Sequence, residues 1–206
     1  MKNLLIFTGV VGVLAVASCE QHEIIPPPVP LVELNCSCDA VITGGAADTT
    51  LAYGDTCTYS SIKTIGTPGT SSARYFSNID NEGFAEGVQL EIRALEWTDD
   101  GSNKPTLNEW QNFFNANTEP KYYPEVNDPL DAVVVRWTDK NGTVWTSDSS
   151  IVCLSDFKFN WFVQESDTTG DYMKFDATFS CTLWDPSMTT SRCLQDGHIK
   201  SAFRLD

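Results

Sequence analysis

The chain has 206 residues, with 13 basic and 28 acidic side chains and a formal net charge of −15. This length suits one domain of ordinary size with a substantial core. Nucleic acid is excluded as an expected partner, because phosphate contacts need clustered lysines and arginines. We interpret the acidity as a solubility feature, and calcium binding is the alternative.

The chain opens with a basic residue at position 2, an apolar run over residues 4–16 and the sequence Val16-Ala17-Ser18-Cys19. This order is typical of a secretory signal segment, and the apolar run is shorter than the about 20 residues that a membrane span needs. The cysteine after small residues resembles the lipobox of bacterial lipoproteins. The resemblance implies a signal peptide over residues 1–18, cleavage before Cys19, and diacylglycerol and palmitate-type acylation of Cys19. It also implies a lipid anchor in the bacterial outer membrane, on the periplasmic or cell-surface side.

Residues 19–34 are predicted to be a tether that carries the lipidated cysteine. The run Pro26-Pro27-Pro28-Val29-Pro30 favours an extended polyproline conformation, which would hold the domain away from the membrane. Residues 35–206 are then a single folded domain.

The first clear strand has alternating apolar residues at 88, 90, 92 and 94. A helix follows, in which Thr106 is the predicted N-cap and Glu109 completes a capping box. Its apolar face is expected to dock on the sheet, and a ligand-binding role for Trp110 is the alternative. The residues of this face are Leu107, Trp110, Phe113 and Phe114.

Residues 132–138 and 143–146 flank Asn141-Gly142, which is typical of a β-hairpin with a type I′ turn. Trp137 and Trp145 lie on either side of this turn and are predicted to form a cross-strand pair. Such a pair contributes roughly 0.2–1 kcal/mol. Among the six tryptophans, this pair is also the expected exposed aromatic patch and the first-ranked binding surface.

Three strands are predicted in the last third of the chain. The first has Phe157, Phe159, Trp161 and Val163 on its inward face. The second spans residues 171–184, and the closing strand covers 198–205. Many strands, frequent turns and one short helix predict an all-β fold, an antiparallel β-sandwich with one short inserted helix. A small closed β-barrel is the alternative.

Six cysteines remain besides Cys19, and an even number in an exported chain predicts three disulfide bonds. The best local pairing is Cys181 with Cys193, because they flank a short polar connection. Cys36 and Cys38, which are separated by one residue, are each expected to reach a distant partner. A metal site is disfavoured, since this pair lacks Cys-x-x-Cys spacing and a nearby histidine. The six candidates are Cys36, Cys38, Cys57, Cys153, Cys181 and Cys193.

The C-terminal stretch 175–183, followed by Asp196-Gly197-His198-Ile199 and Phe203, resembles the ending of small β-sandwich families of uncharacterised bacterial lipoproteins. Ala177 stands where those families have glycine, and His198 where they have a basic residue. The resemblance covers about a fifth of the chain. It implies a lipid-anchored sandwich and carries over no activity or site.

No catalytic residue, metal ligand or cofactor is predicted, and the chain is not expected to be an enzyme. Nucleophile-elbow, zinc-protease and phosphate-loop motifs are absent from the sequence. His198 is interpreted as a surface residue of the last strand. The polar stretch 99–103 does not match the calcium-binding loop pattern. A glycosidase pair of carboxylates is the alternative, with Glu91, Glu96, Asp131 and Asp176 as candidates.

The expected function is that of a non-catalytic surface lipoprotein, an accessory or structural subunit that contacts another protein. The first alternative is a carbohydrate-binding lipoprotein of a polysaccharide-uptake system, and the second is a carboxylate hydrolase. An exposed, coplanar tryptophan pair would favour carbohydrate. Buried tryptophans and a broad apolar patch would favour a protein partner.

Overall fold

The computed structural model describes residues 29–54, 56–66, 69–81, 86–98, 103–123, 132–149 and 152–205. The signal segment 1–18, Cys19 and the first part of the tether lie outside these ranges, so what is predicted of them stays a prediction. The elements of the described ranges are β1 (Ser37–Thr43), β2 (Thr49–Gly54), β3 (Cys57–Thr64), β4 (Thr70–Asp80), β5 (Gly87–Thr98), α1 (Leu107–Ala116), β6 (Lys121–Tyr122), β7 (Ala132–Thr138), β8 (Val144–Asp148), β9 (Asp156–Asp167), β10 (Gly170–Trp184) and β11 (Ser191–Leu205).

The strands belong to one sheet that folds over into two layers. Its order is β2-β1-β11-β10-β8-β7-β5-β4-β3, with β9 joined to β10 and β6 joined to β7. Strand β6 runs parallel to β7, and the other pairings among the described residues are antiparallel. Strand β11 packs against β3 and β4 across the interior. The predicted all-β sandwich is confirmed. The closed barrel is wrong, because the end strands β2 and β3 do not pair with each other.

The interior is built largely from alternate side chains of β10 and β11, as their period-2 pattern predicts. Phe175 and Phe203 are fully buried and stack with ring centroids 4.8 Å apart. Phe114 of α1 stacks on Phe203 at 5.4 Å, and Trp110 is fully buried beside Phe114. The helix therefore docks through its aromatic face, and Trp110 has no exposed surface with which to bind a ligand.

Thr106 caps the helix as predicted. The Glu109 N–H donates to Thr106 Oγ1 at 3.2 Å, and the Thr106 N–H donates to Glu109 Oε2 at 2.8 Å. These two bonds satisfy backbone donors that the first turn leaves without helical partners. Leu107 departs from the predicted apolar face, since it is exposed. Within the described part of the chain, no helix is long and apolar enough to cross a membrane.

The predicted hairpin joins β7 and β8, but its turn is not type I′. That turn needs a positive φ at both central residues, and Gly142 has a φ of +78° whereas Asn141 has no positive φ. The chain turns at Asp139 instead, where the Gly142 N–H donates to the Asp139 carbonyl at 2.8 Å. Asp139 Oδ1 also accepts the N–H groups of Asn141 and Thr143. The aspartate therefore sets the turn, because its side chain bonds backbone groups two and four residues on.

Two disulfides join the described cysteines instead of the predicted three. Cys36 bonds to Cys57, with Cα atoms 6.1 Å apart, and Cys153 bonds to Cys193, with Cα atoms 5.7 Å apart. The first links the start of β1 to the start of β3. The second ties the loop before β9 to β11.

Cys181 does not reach Cys193, which corrects the pairing predicted from their spacing. The register of β10 and β11 sets Cys193 opposite Thr182, whereas Cys181 lies opposite Leu194. Neighbouring residues of a strand point to opposite faces, so Cys181 turns into the core and Cys193 turns away from it. Cys153 lies on the same side as Cys193, and its N–H donates to Thr182 Oγ1 at 3.0 Å.

Cys38 and Cys181 are free thiols in the core, 1% and 0% exposed, so the predicted disulfides of these two residues are wrong. Burial, together with the charge of Asp39, raises the pKa of the Cys38 thiol to about 12. Burial also raises the pKa of Cys181 well above its usual value. Because a cysteine nucleophile must be a thiolate, neither side chain can serve as one at neutral pH.

Candidate binding face around Trp161

Trp137 and Trp145 form the predicted cross-strand pair, but the pair is buried. The residues lie directly opposite each other, their rings stack with centroids 6.1 Å apart, and they are 7% and 6% exposed. Trp137 Nε1 donates to Tyr53 Oη at 3.3 Å, and Trp145 Nε1 donates to Asp139 Oδ2 at 3.1 Å. The Arg192 guanidinium lies over the Trp145 ring. The predicted exposure of this pair is therefore wrong, because both rings are buried in the core and their indole N–H groups donate to Tyr53 and Asp139.

Trp161 is exposed, although the alternation of β9 predicts a buried side chain. It is 42% exposed, and Val163 on the same strand is also exposed. Phe162 packs against the core in its place, with its ring centroid 5.2 Å from that of Phe114. The predicted inward face is thus wrong for the second half of β9, and the outer face there presents a large aromatic ring.

A β-bulge at Asn160 causes this reversal. Phe159 lies opposite Ala177 and Trp161 lies opposite Asp176, so Asn160 has no residue opposite it on β10. One extra residue exchanges the inner and outer faces of everything that follows it on the strand. Trp161 and Phe162 are adjacent aromatic residues, and either can fill an inward position. Hydrophobic alternation alone therefore does not locate the bulge.

Trp161 belongs to a row of outward side chains that crosses four strands. Asp176 lies opposite it on β10, Lys200 lies opposite Asp176 on β11, and Ser37 lies opposite Lys200 on β1. Residues directly opposite on one face have Cβ atoms about 4.5–5.5 Å apart. The row therefore brings an aromatic ring, a carboxylate, an ammonium group and a hydroxyl together on one surface.

Three side chains hold the Asp176 carboxylate in place. Asn160 Nδ2 donates to its Oδ1 at 2.6 Å, while His198 Nε2 and Lys200 Nζ lie 3.0 and 3.8 Å from its Oδ2. Burial alone would raise the pKa of Asp176, but the hydrogen bonds from Asn160 and His198, with the neighbouring Lys200, lower it below its usual value. Asp176 is therefore an ionised acceptor of fixed orientation beside Trp161.

A cavity of about 240 Å³ opens beside the Trp161 ring. Its walls come from β9, β10 and β11 and from the segment that precedes β1. Pockets for drug-sized ligands occupy roughly 300–1,000 Å³, so this cavity suits one small group, such as a single sugar ring. The lining residues are Glu33, Leu34, Asn35, Cys36, Trp161, Lys174, Phe175, Lys200 and Ser201.

The segment before β1 is fixed to this face by Asp167. The Val32 N–H donates to Asp167 Oδ2 at 2.7 Å, and Leu34 packs against the edge of the core. Hydrogen bonds from Thr169 and then from Val32 lower the pKa of Asp167 to about 2. The last residues of the predicted tether are thus held on the domain, and the four residues from Glu33 to Cys36 form one wall of the cavity.

No catalytic triad is assembled around His198. Its Nε2 faces Asp176 Oδ2 at 3.0 Å, and its Nδ1 lies 3.7 Å from Asp39 Oδ1. Both ring nitrogens face carboxylates, and among the described residues no hydroxyl or thiol is hydrogen-bonded to either. A nucleophile needs a base within hydrogen-bond reach. The arrangement gives no support to hydrolysis through this histidine.

The carboxylates considered for a glycosidase do not face a common cleft. Glu91 is fully buried on β5, Glu96 is exposed on the same strand, and Asp176 lies on β10. Strands β5 and β10 are separated in the sheet by β7 and β8. Asp131 lies outside the described residues. A glycosidase needs two carboxyl groups about 5–9.5 Å apart across a cleft, and no such pair follows from these positions.

Neither metal ligands nor relatives point to a particular chemistry. In the ranges that the structure describes, no group of three or more histidine, cysteine, aspartate or glutamate side chains is placed to hold a metal ion. Most of the polar stretch 99–103 lies outside those ranges. No protein-family model, curated protein or solved structure matches this chain.

Proposed function

We propose that this chain is a non-catalytic, lipid-anchored protein whose outer face around Trp161 binds carbohydrate. The observation that carries the proposal is the Trp161 ring, which is 42% exposed beside a cavity of about 240 Å³. An exposed aromatic face packs against the apolar face of a sugar ring. The pair of Trp137 and Trp145 is buried, which by itself favours a protein partner, so the carbohydrate proposal rests on Trp161.

Polar groups around Trp161 supply the hydrogen bonds that sugar hydroxyls require. Lys174 and Lys200 offer ammonium donors with side chains 24% and 47% exposed. Glu33 on the cavity wall offers a carboxylate acceptor, whereas the Asp176 oxygens already face Asn160, His198 and Lys200. A hydroxyl that loses water without finding such partners weakens binding. The face therefore combines the apolar platform with both donors and acceptors.

The lipid anchor rests on the lipobox resemblance at Cys19 and agrees with the charge of the domain. Removal of Lys2 with the signal segment leaves 12 basic against 28 acidic residues, a net charge of −16. Such a domain is repelled by anionic lipid surfaces, so stable attachment needs acyl chains, each buried methylene of which contributes about 0.8 kcal/mol. We expect Cys19→Ala to abolish palmitate labelling and release the protein from membranes. A variant that stays membrane-bound and is processed at the same position would contradict the anchor.

Carbohydrate binding is tested with the protein from residue 20 onward, screened on a glycan array and then titrated with the best ligand by calorimetry. Covering roughly 80 Å² of the Trp161 ring at about 25 cal/mol per Å² contributes about 2 kcal/mol, so Trp161→Ala should weaken binding about 30-fold. Val163→Ala is the matched control, because Val163 is 45% exposed and lies two residues along the same strand. Its affinity should stay within about twofold of the parent.

Two results would contradict the carbohydrate proposal. The first is an array with no ligand above background. The second is a ligand whose affinity falls equally in Trp161→Ala and Val163→Ala, because the loss would then not be specific to the aromatic ring.

A protein partner is the second candidate, and the free sheet edges favour it. Strands β2 and β3 end the sheet, and in the described chain each pairs with one strand only. Ile62 on β3 is 49% exposed. An unpaired edge can accept an additional strand from another chain. Crosslinking on intact cells should then capture one stoichiometric partner, and Ile62→Lys should reduce the yield while Trp161→Ala leaves it unchanged.

A further inference from the structure

Three arginines surround one buried glutamate on the outer face of the layer formed by β4, β5 and β7. Glu91 on β5 is fully buried. Arg93 Nε donates to Glu91 Oε1 at 2.7 Å, and Arg74 Nη1 donates to the same oxygen at 3.3 Å. Arg136 Nη2 lies 2.7 Å from Glu91 Oε2. We call these three arginine side chains the arginine cluster.

The arginine cluster carries more positive charge than its glutamate neutralises. Among the described residues, Glu91 is the carboxylate that pairs with it, which leaves a net charge of +2 from three guanidinium groups and one carboxylate. The whole chain has a net charge of −15, with only 13 basic residues. The cluster is therefore a local reversal of charge on an acidic protein.

The guanidinium groups are oriented by neighbours and remain open to solvent. Arg93 lies over the Tyr123 ring at 4.0 Å, and Arg136 Nη1 donates to Gln89 Oε1 at 2.7 Å. The side chains of Arg74, Arg93 and Arg136 are 35%, 18% and 28% exposed. Each guanidinium has five N–H donors in a rigid fork. Among the described residues, Glu91 and Gln89 take only some of these donors, so N–H groups of the cluster are left for a second acceptor.

We propose that the arginine cluster binds an oxyanion of an external ligand, a carboxylate or a sulfate group. Three like charges held around one carboxylate repel one another, and a second anion above them would offset that repulsion. Paired N–H groups of arginine match the two oxygens of a carboxylate or sulfate. The site would let a strongly acidic protein hold an acidic ligand that its net charge otherwise repels. It lies in a different layer from Trp161 and does not depend on carbohydrate binding there.

Calorimetric titration with sodium sulfate, and separately with sodium acetate, tests the proposal at an ionic strength held constant with sodium chloride. We expect saturable binding of at least one of the two anions. Arg74→Gln removes the most exposed guanidinium, which makes the longest contact to Glu91, and should weaken binding roughly tenfold, the value of one charge-assisted hydrogen bond. Lys158→Gln is the matched control, because it removes one positive charge from an exposed side chain of β9 in the other layer.

Arg74→Lys keeps the charge and loses the planar fork, so it covers the case in which Arg74→Gln does not fold. We expect this variant to lose most of its acetate affinity, since carboxylate recognition needs two parallel N–H bonds. Equal weakening in Arg74→Gln and Lys158→Gln would overturn the proposal, because the effect would then be one of net charge. Absence of binding of both anions to the unmodified protein would also overturn it.

The acidic residues between Tyr123 and Ala132 provide a further arm of the experiment. Glu125, Asp128 and Asp131 lie in this part of the sequence, outside the described residues. A triple variant that combines Glu125→Gln, Asp128→Asn and Asp131→Asn removes three carboxylates of the chain itself. Sulfate binding by this variant alone would overturn the proposal, because the arginine cluster would then serve the chain's own carboxylates.

Discussion

Replacing Trp137 with alanine should destabilise the domain by about 4 kcal/mol, within the range for buried tryptophans. The ring is 7% exposed and stacks on Trp145 with centroids 6.1 Å apart. Truncation loses the transfer free energy of the ring and leaves a cavity that its neighbours cannot fully close. It also removes the indole N–H that donates to Tyr53 Oη at 3.3 Å. The three losses act in the same direction.

Trp161→Ala should lower the free energy of unfolding by about half as much as Trp137→Ala. Burying a whole tryptophan covers about 150–250 Å², worth roughly 4–6 kcal/mol at 25 cal/mol per Å². Trp161 is 42% exposed, and the alanine methyl group keeps part of the covered area, so about 2 kcal/mol is expected. The ring lies on an outer face, where truncation opens no enclosed cavity.

Urea denaturation followed by far-ultraviolet circular dichroism measures both losses, with the disulfides intact and the protein taken from residue 20 onward. The midpoints of the two variants should differ while their slopes stay equal, since slope reports the surface exposed on unfolding. An equal or larger loss for Trp161→Ala would refute the reversal of faces at Asn160. A loss below about 1 kcal/mol for Trp137→Ala would refute the buried pair.

Further predictions concern the carboxylate that fixes the segment before β1, and the disulfides. Asp167 has a pKa lowered to about 2, so it contributes stability above its unfolded pKa of about 3.9 and loses that contribution as the pH falls through about 2. The difference in unfolding free energy between the parent and Asp167→Asn should therefore be constant from pH 7 to pH 5 and vanish near pH 2. Replacing Cys153 and Cys193 with serine should cost about 4 kcal/mol, and replacing Cys36 and Cys57 about 3 kcal/mol, because the loops that they close differ in length. Thiol labelling of the native protein should leave the two core thiols unmodified until urea unfolds it.

The elements that sequence alone predicts best are those in which several local signals agree. The strand over residues 171–184 alternates without interruption, and β10 covers it fully. The spacing of Thr106 and Glu109 predicts where the helix begins, because a capping box depends only on residues close in sequence. Both hydrogen bonds of the capping box are present. In these cases the local backbone preference and the burial pattern favour the same structure.

Sequence reasoning fails where the outcome depends on register between strands. The bulge at Asn160 turns Trp161 outward, and no composition signal precedes it. The shift between Phe179 and Cys181 on β10 moves the residue opposite Cys181 from Gln195 to Leu194. A one-residue change of register exchanges the two faces of a strand. Cysteine pairing and tryptophan exposure both depend on that choice, which spacing along the chain does not contain.

The arginine cluster illustrates a different limit. Its members lie on β4, β5 and β7, which are neighbours in the sheet but distant in sequence. The sequence identifies Glu91 only as one of several candidate carboxylates. Its three arginine partners can be identified only once the strand order is known. A site of this kind is a property of topology, so a motif search along the chain does not find it.

Both candidate sites lie on outer faces of paired strands, and this placement makes their roles separable from stability. Side chains on strands are held more rigidly than side chains on loops, so their spacing is fixed before a ligand arrives. The residues proposed to touch ligand, Trp161 at 42% and Arg74 at 35% side-chain exposure, are also among the less buried members of their surroundings. Their truncation should therefore weaken binding while most of the folding free energy remains. A loss of ligand affinity in either variant can then be assigned to the missing contact, provided that the urea midpoint still shows a folded protein.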